Sequence, residues 1–195
     1  MRPIFTALAG SALLALSITA IAQTSTSFTR DGRPERIFNP RTGLNSIDGG
    51  FLRQAACINM MELELAQIAE QKGTSDFTKE FAKEMQANHM QDRAQIQQIA
   101  VSKGFSLPTN LPNDMQHSIN YISSLSGGDF DSTYRRLMID GHAAAAELFE
   151  HEVGNGHDQD VKAYAVEILP ELVLANHLAQ AQKTMMGTTK ADHGL

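Results

Sequence analysis

Tryptophan is absent from this 195-residue sequence, and aromatic residues together make up only 6% of it. An interior without many large rings must be filled by Ala, Leu, Ile, Val and Met, a diet that suits helices better than sheets. Nothing in the chain alternates with a period of two, so no sheet is expected. Cys57 is the single cysteine, which excludes an intramolecular disulfide. Its apolar neighbours read as those of a buried, inert thiol rather than a nucleophile. No run of Lys and Arg occurs, and the formal net charge is −6. Phosphate backbones demand a basic patch, so no nucleic-acid partner is expected. The chain also lacks a Gly-rich phosphate loop, a Ser nucleophile elbow, an HExxH step and a paired CxxC.

What is present describes a soluble globular chain with one domain: 42% apolar and 19% charged residues. Met1 to Ala22 reads as a signal peptide. Arg2 supplies the positive start, Ile4 to Ile21 the apolar stretch, and Ala20-Ile21-Ala22 the small-x-small cleavage pattern. Cleavage after Ala22 would deliver a periplasmic or secreted protein. The alternative, an uncleaved anchor, has a stretch of marginal length interrupted by Gly10, Ser11, Ser17 and Thr19. No later stretch is long and apolar enough to span a bilayer, so no membrane span is expected after cleavage.

Residues 23–50 are polar, rich in Ser, Thr, Arg, Asn, Gly and Pro, and without periodicity; they read as a flexible arm. From Phe51 onward apolar residues recur at helical spacing. A first helix is expected from Phe51 to about Gln71, ending at Lys72-Gly73. A second runs from about Ser75 to Lys103, with Ser75 or Asp76 as cap, and stops at Gly104. Pro108 and Pro112 lie in the connection that follows, and a short helix is expected over about Asn113 to Ser124. Gly127-Gly128 reads as a break. A third long helix then runs from near Asp129 to the Gly154-Asn155-Gly156 turn. A fourth begins at an Asp158 cap and fades near Met186, with Pro170 expected to kink it or to divide it in two. The fold class is all-α: a ferritin-like four-helix bundle over 51–186, with a short extra helix in the long second connection and a disordered tail over 187–195.

Several pieces of the chain together are specific. Phe51-Leu52-Arg53-Gln54-Ala55-Ala56 leads into Met61-Glu62-Leu63-Glu64-Leu65-Ala66. Phe81-Ala82-Lys83-Glu84-Met85 precedes Asn88-His89, and Lys103-Gly104 precedes Leu107-Pro108. Phe130-Asp131, Tyr134, Asp140-Gly141-His142, Leu148-Phe149-Glu150-His151-Glu152, Leu169-Pro170-Glu171-Leu172 and His177-Leu178 follow in order. On these residues the chain resembles the bacterial domain of unknown function 4142, a family placed in the ferritin-like superfamily. The resemblance spans about Phe51 to Ala181 and implies an exported helical bundle. It brings no settled activity to transfer. Asn88 departs from the Asp that usually precedes the histidine in the family.

Each long helix carries a polar residue on or near its apolar face: Glu62, His89, His142 and His177. One inward polar residue per helix is how bundles build metal sites. Imidazole and carboxylate together suit one transition-metal ion, zinc, iron, manganese or copper. Asp92 and Asp140 are candidates to orient the histidines. Met85 and Met138 each precede a histidine by four residues and so share its face. Their thioethers would favour copper, or they are core filler. A di-iron centre is not expected. It needs a Glu-x-x-His step on two helices, whereas Gln86 and Leu174 stand three residues before His89 and His177. Three readings follow. One is a non-catalytic exported bundle acting in the cell envelope or in stress tolerance through an unknown protein or surface partner, with Glu62 and the histidines forming a polar network that holds the helices in register. The second is a periplasmic metal carrier or buffer, and the third a redox enzyme.

Overall fold

The computed structural model describes residues 42–174, and these form an all-α bundle. Its helices are α1 (Ser46–Lys72), α2 (Asp76–Ser102), α3 (Asn113–Ser124), α4 (Gly127–Asn155) and α5, which covers 159–174. Four of them are the expected long helices, and α3 is the expected short one in the second connection. The expected signal peptide, most of the expected N-terminal arm, the expected end of the fourth helix and the expected tail lie outside the described residues. So does His177. Among the described helices none is long and apolar enough to cross a membrane.

The start of α1 corrects the expected arm boundary. Residues 46–50 belong to the helix, not to an arm that ends at Gly50. Asn45 is the reason: its side chain accepts from the N–H groups of Ile47 (2.7 Å) and Asp48 (2.9 Å), while Asp48 reaches back to the Asn45 N–H. This reciprocal cap offsets the cost of Gly49 and Gly50 in the first turns. Leu44, just outside the helix, is buried against the core. Gly127 breaks the chain between α3 and α4 as expected, with φ +60°, although α4 is counted from it and so starts two residues before Asp129. Pro170 does not divide α5, which runs continuously through it. Pro170 is exposed, and so is Val166, whose carbonyl the proline leaves without an intrahelical donor, so water can serve that oxygen.

The two helix-ending glycines work differently. Gly104 has φ +61°, and the Phe105 N–H donates to the Ala100 carbonyl at 2.8 Å, the left-handed closure that glycine favours. Gly73 sits at φ −54° instead. There a Cβ would stand 2.7 Å from the Ala69 carbonyl oxygen and 2.8 Å from Thr78 Cγ2, so crowding selects the glycine. The turn after it is held by Asp131 of α4. Its carboxylate accepts the N–H groups of Thr74 (3.0 Å) and Ser75 (2.9 Å).

The interior falls into two apolar clusters. One gathers Cys57, Met61, Leu65 and Ala69 of α1 with Phe81 and Met85 of α2, three residues of α3, and Phe130, Tyr134 and Met138 of α4. The other gathers Leu44, Phe51, Leu52 and Ala55 with Ile96, Ala145 and Phe149, and with Val161, Tyr164, Ala165 and Ile168 of α5. Phe51 anchors the second cluster, its ring edge-on to Phe149 at 4.8 Å. Cys57 is buried as expected, and burial, with Asp114 adding to it, pushes its thiol pKa up.

Candidate metal centre

Glu62, His89 and His142 come from three different helices and meet in the interior. All three are buried, and one ligand atom from each lies within 4.8 Å of the others. The helical repeat explains the meeting. Glu62 falls between Ile58 and Leu65 on α1, His89 one turn after Met85 on α2, and His142 one turn after Met138 on α4.

Within the group, His89 Nε2 stands 2.9 Å from Glu62 Oε2, and His142 Nε2 stands 3.7 Å from the same oxygen. The 2.9 Å approach is off the hydrogen-bonding direction, so neither His89 Nε2 nor Glu62 Oε2 has a formed hydrogen bond. His142 Nδ1 is also unpartnered. Asp92 Oδ2 lies 3.7 Å from His89 Nδ1, beyond hydrogen-bond range but close enough to act on its charge.

The charges sort themselves accordingly. Burial works against an ionised Glu62, but the charges of His142 and His89 outweigh it and hold the carboxyl pKa below its ordinary value. Burial likewise opposes a charged His89, yet Glu62 and Asp92 raise its pKa. At His142 burial wins and the pKa falls, which leaves a neutral imidazole, the form that binds metal. Burial carries Asp92 up to about 6, with Glu171, Glu62 and Glu167 adding to the rise and His89 opposing it.

Not every expected residue takes its expected place. Met85 and Met138 are buried members of the first apolar cluster. Asp140 is exposed, so the orienting role expected of it is corrected. It lies two residues from both Met138 and His142, about 200° around the helix from each, and must face outward when they face inward. Two residues went unsuspected. Asn59, one turn before Glu62, is buried and donates from Nδ2 to the His89 carbonyl at 2.9 Å, with His89 Nδ1 at 3.4 Å. Tyr134, two turns before His142, is buried with its hydroxyl unpartnered. Burial first, and then the charge of Glu62, raise its pKa. Asn59 and Tyr134 share their helical faces with the site residues, which was the available signal.

The family described as Domain of unknown function (DUF4142) matches residues 34–184. The chain belongs to this family. Among solved structures it is similar to a DUF305 fragment from Deinococcus radiodurans. The likeness has a TM-score of 0.64 at 13% identity and covers 71% of this chain and 95% of the other. At that identity the likeness speaks for the fold alone. No curated protein matches the chain.

The ligand set is two imidazoles and one carboxylate. Zinc and iron both accept such a set and leave further positions for water or another ligand. Bonds of about 2.0–2.1 Å set tetrahedral ligand atoms roughly 3.3 Å apart, so the 2.9 Å His89–Glu62 approach must open slightly while His142 moves in. Among the described residues the group holds one carboxylate, that of Glu62.

Proposed function

We propose that this is an exported helical-bundle protein that holds one divalent transition-metal ion between Glu62, His89 and His142, as a carrier or buffer rather than an enzyme. The signal-peptide pattern of residues 1–22 supports export to the periplasm or beyond. One observation carries the metal reading. Among the described residues nine buried side-chain polar atoms lack a hydrogen-bond partner, and they include Asn59 Oδ1, Glu62 Oε2, His89 Nε2, Tyr134 Oη and His142 Nδ1. Unpartnered buried polar atoms are costly and rare, and a cation with its water would satisfy this set. Glu62, His89 and His142 supply the ligand atoms, and Asn59 and Tyr134 stand ready to hydrogen-bond what the ion carries.

A metal-free register network is the competing reading, and the 2.9 Å approach of His89 to Glu62 favours it. Metal analysis of the mature chain, residues 23–195, exported and purified without chelator or affinity tag, separates the two. We expect about one ion per chain, lost in His89→Ala. A metal-free protein whose thermal stability does not change with added zinc, iron, manganese or copper would leave the network reading in its place.

A further inference from the structure

The far end of the bundle buries two acidic side chains that the metal centre does not use. Asp48 of α1 and Glu152 of α4 are both 0% exposed. Asp48 Oδ1 accepts the N–H groups of His157 (2.8 Å) and Asp158 (3.2 Å), and its Oδ2 accepts the Asn45 N–H at 3.4 Å. Three backbone N–H groups thus converge on the Asp48 carboxyl. Glu152 has the opposite surroundings. No donor reaches either of its oxygens. It lies in the last turn of α4, at the negative end of the helix dipole. The turn backbone packs directly on it, since a Cβ on Gly156 would come within 2.1 Å of Oε1. As an anion Glu152 has nothing to bind; as a neutral acid it can donate its proton to the Asp48 carboxylate.

We propose that Asp48 and Glu152 form a proton-operated latch: one shared proton joins the start of α1 to the α4–α5 turn, and its departure releases that end of the bundle. On release, Glu152 gives its proton to water, the hydrogen bond to Asp48 becomes repulsion between two carboxylates, and the N–H groups of His157 and Asp158 lose their anchor. Besides Asp48, Asp158 reinforces the repulsion on Glu152 and Lys162 opposes it; the titratable ring of His157 in the same turn is engaged with Asn45 Nδ2 at 2.7 Å. Lys103 engages Asp158 and Asp160 at 2.7 and 2.6 Å, so that cation is committed elsewhere. Burial and then the hydrogen bond and charge of Asp48 push the Glu152 pKa up to about 8, which places the release on the alkaline side of neutrality. Residues 42–45 enter α1 at this latch, so the release would also loosen the root of the N-terminal arm.

Hydrogen exchange of the 153–160 segment in the mature chain tests the latch, with rates corrected for the intrinsic effect of pH. Protection should fall by roughly tenfold or more between about pH 6 and about pH 9 in the wild type and stay level in Glu152→Gln, whose amide donates to Asp48 at every pH. Equal loss in both proteins, or none in the wild type, would overturn the latch. Should the variant fail to fold, infrared difference spectra of the wild type between about pH 7 and about pH 9.5 decide it. A protonated-carboxyl band that disappears over that range supports the latch, and its absence there overturns it.

Discussion

Gly141 separates the stability of the bundle from the quality of the proposed metal centre. It is buried in α4, one residue before His142. A Cβ added there would meet Glu62 Oε1 at 3.2 Å and nothing else within 4 Å outside its own helix. Gly141→Ala therefore has two opposed consequences. Alanine in a helix interior is worth about 1 kcal/mol over glycine, largely through the entropy of the unfolded chain. Against this, the new methyl pushes the Glu62 carboxylate aside by a few tenths of an ångström. Metal–ligand distances tolerate only about ±0.2 Å, and disturbing a ligand's orientation typically costs about 10–100-fold in affinity. The metal-free variant should melt at the wild-type temperature or up to a few degrees above it. A chelator competition titration should show affinity lower by roughly tenfold or more. Affinity within about twofold of wild type would mean that Glu62 does not ligate the ion through this geometry. Destabilisation of the metal-free variant by more than about 2 kcal/mol would mean that the contact cannot relax.

Two further outcomes concern the frame. Phe51→Ala removes a ring that is 2% exposed and packed on Phe149 and Tyr164; urea unfolding should show a loss of about 3–5 kcal/mol. At Asp131, burial would raise the carboxyl pKa, but hydrogen bonds from Thr74 and Ser75 prevail and hold it below its ordinary value. The stability this supplies is present above the ordinary value of 3.8 and is lost as pH falls through the lower folded value. Wild type should therefore exceed Asp131→Asn in stability at neutral pH, and denaturation at a series of acid pH values should show the gap closing below about pH 4.

The long helices and α3 could be read from the sequence because glycine, proline and cap residues punctuate a clear apolar period. Asn113 and Ser124 bound α3 as the spacing expects. The first turn of α1 escaped because Gly49 and Gly50 look like a breaker, and its one aliphatic residue, Ile47, makes no stripe. The stabilising information lay in the reciprocal cap of Asn45 and Asp48, a weaker form of the usual Ser/Thr–Glu pattern. At Gly127-Gly128 the same cue marked a real break, where Gly127 takes φ +60° between α3 and α4. Within the site, Glu62, His89 and His142 stood out as polar residues among apolar neighbours, and the structure brings them together. Asn59 and Tyr134 did not stand out. An asparagine in a helix usually reads as a surface residue, and the tyrosine was absorbed into the apolar stripe of α4. Asp140 was misplaced because nearness in sequence was taken for nearness in space; two residues along a helix turn a side chain to the far side.

The polar layer at His89 and His142 falls where the two apolar clusters meet. On α2 it separates Met85 from Ile96, and on α4 it separates Met138 from Ala145. This layer works like the keyway of a lock. A helix displaced by one turn, about 5.4 Å, would carry its ligand out of the layer and set it against methyl groups. That error would cost a buried polar group without a partner, several times the worth of one apolar contact. Glu62, His89 and His142 therefore forbid misaligned versions of the bundle that Ala, Leu and Met alone would tolerate, whichever ion or proton lies between them.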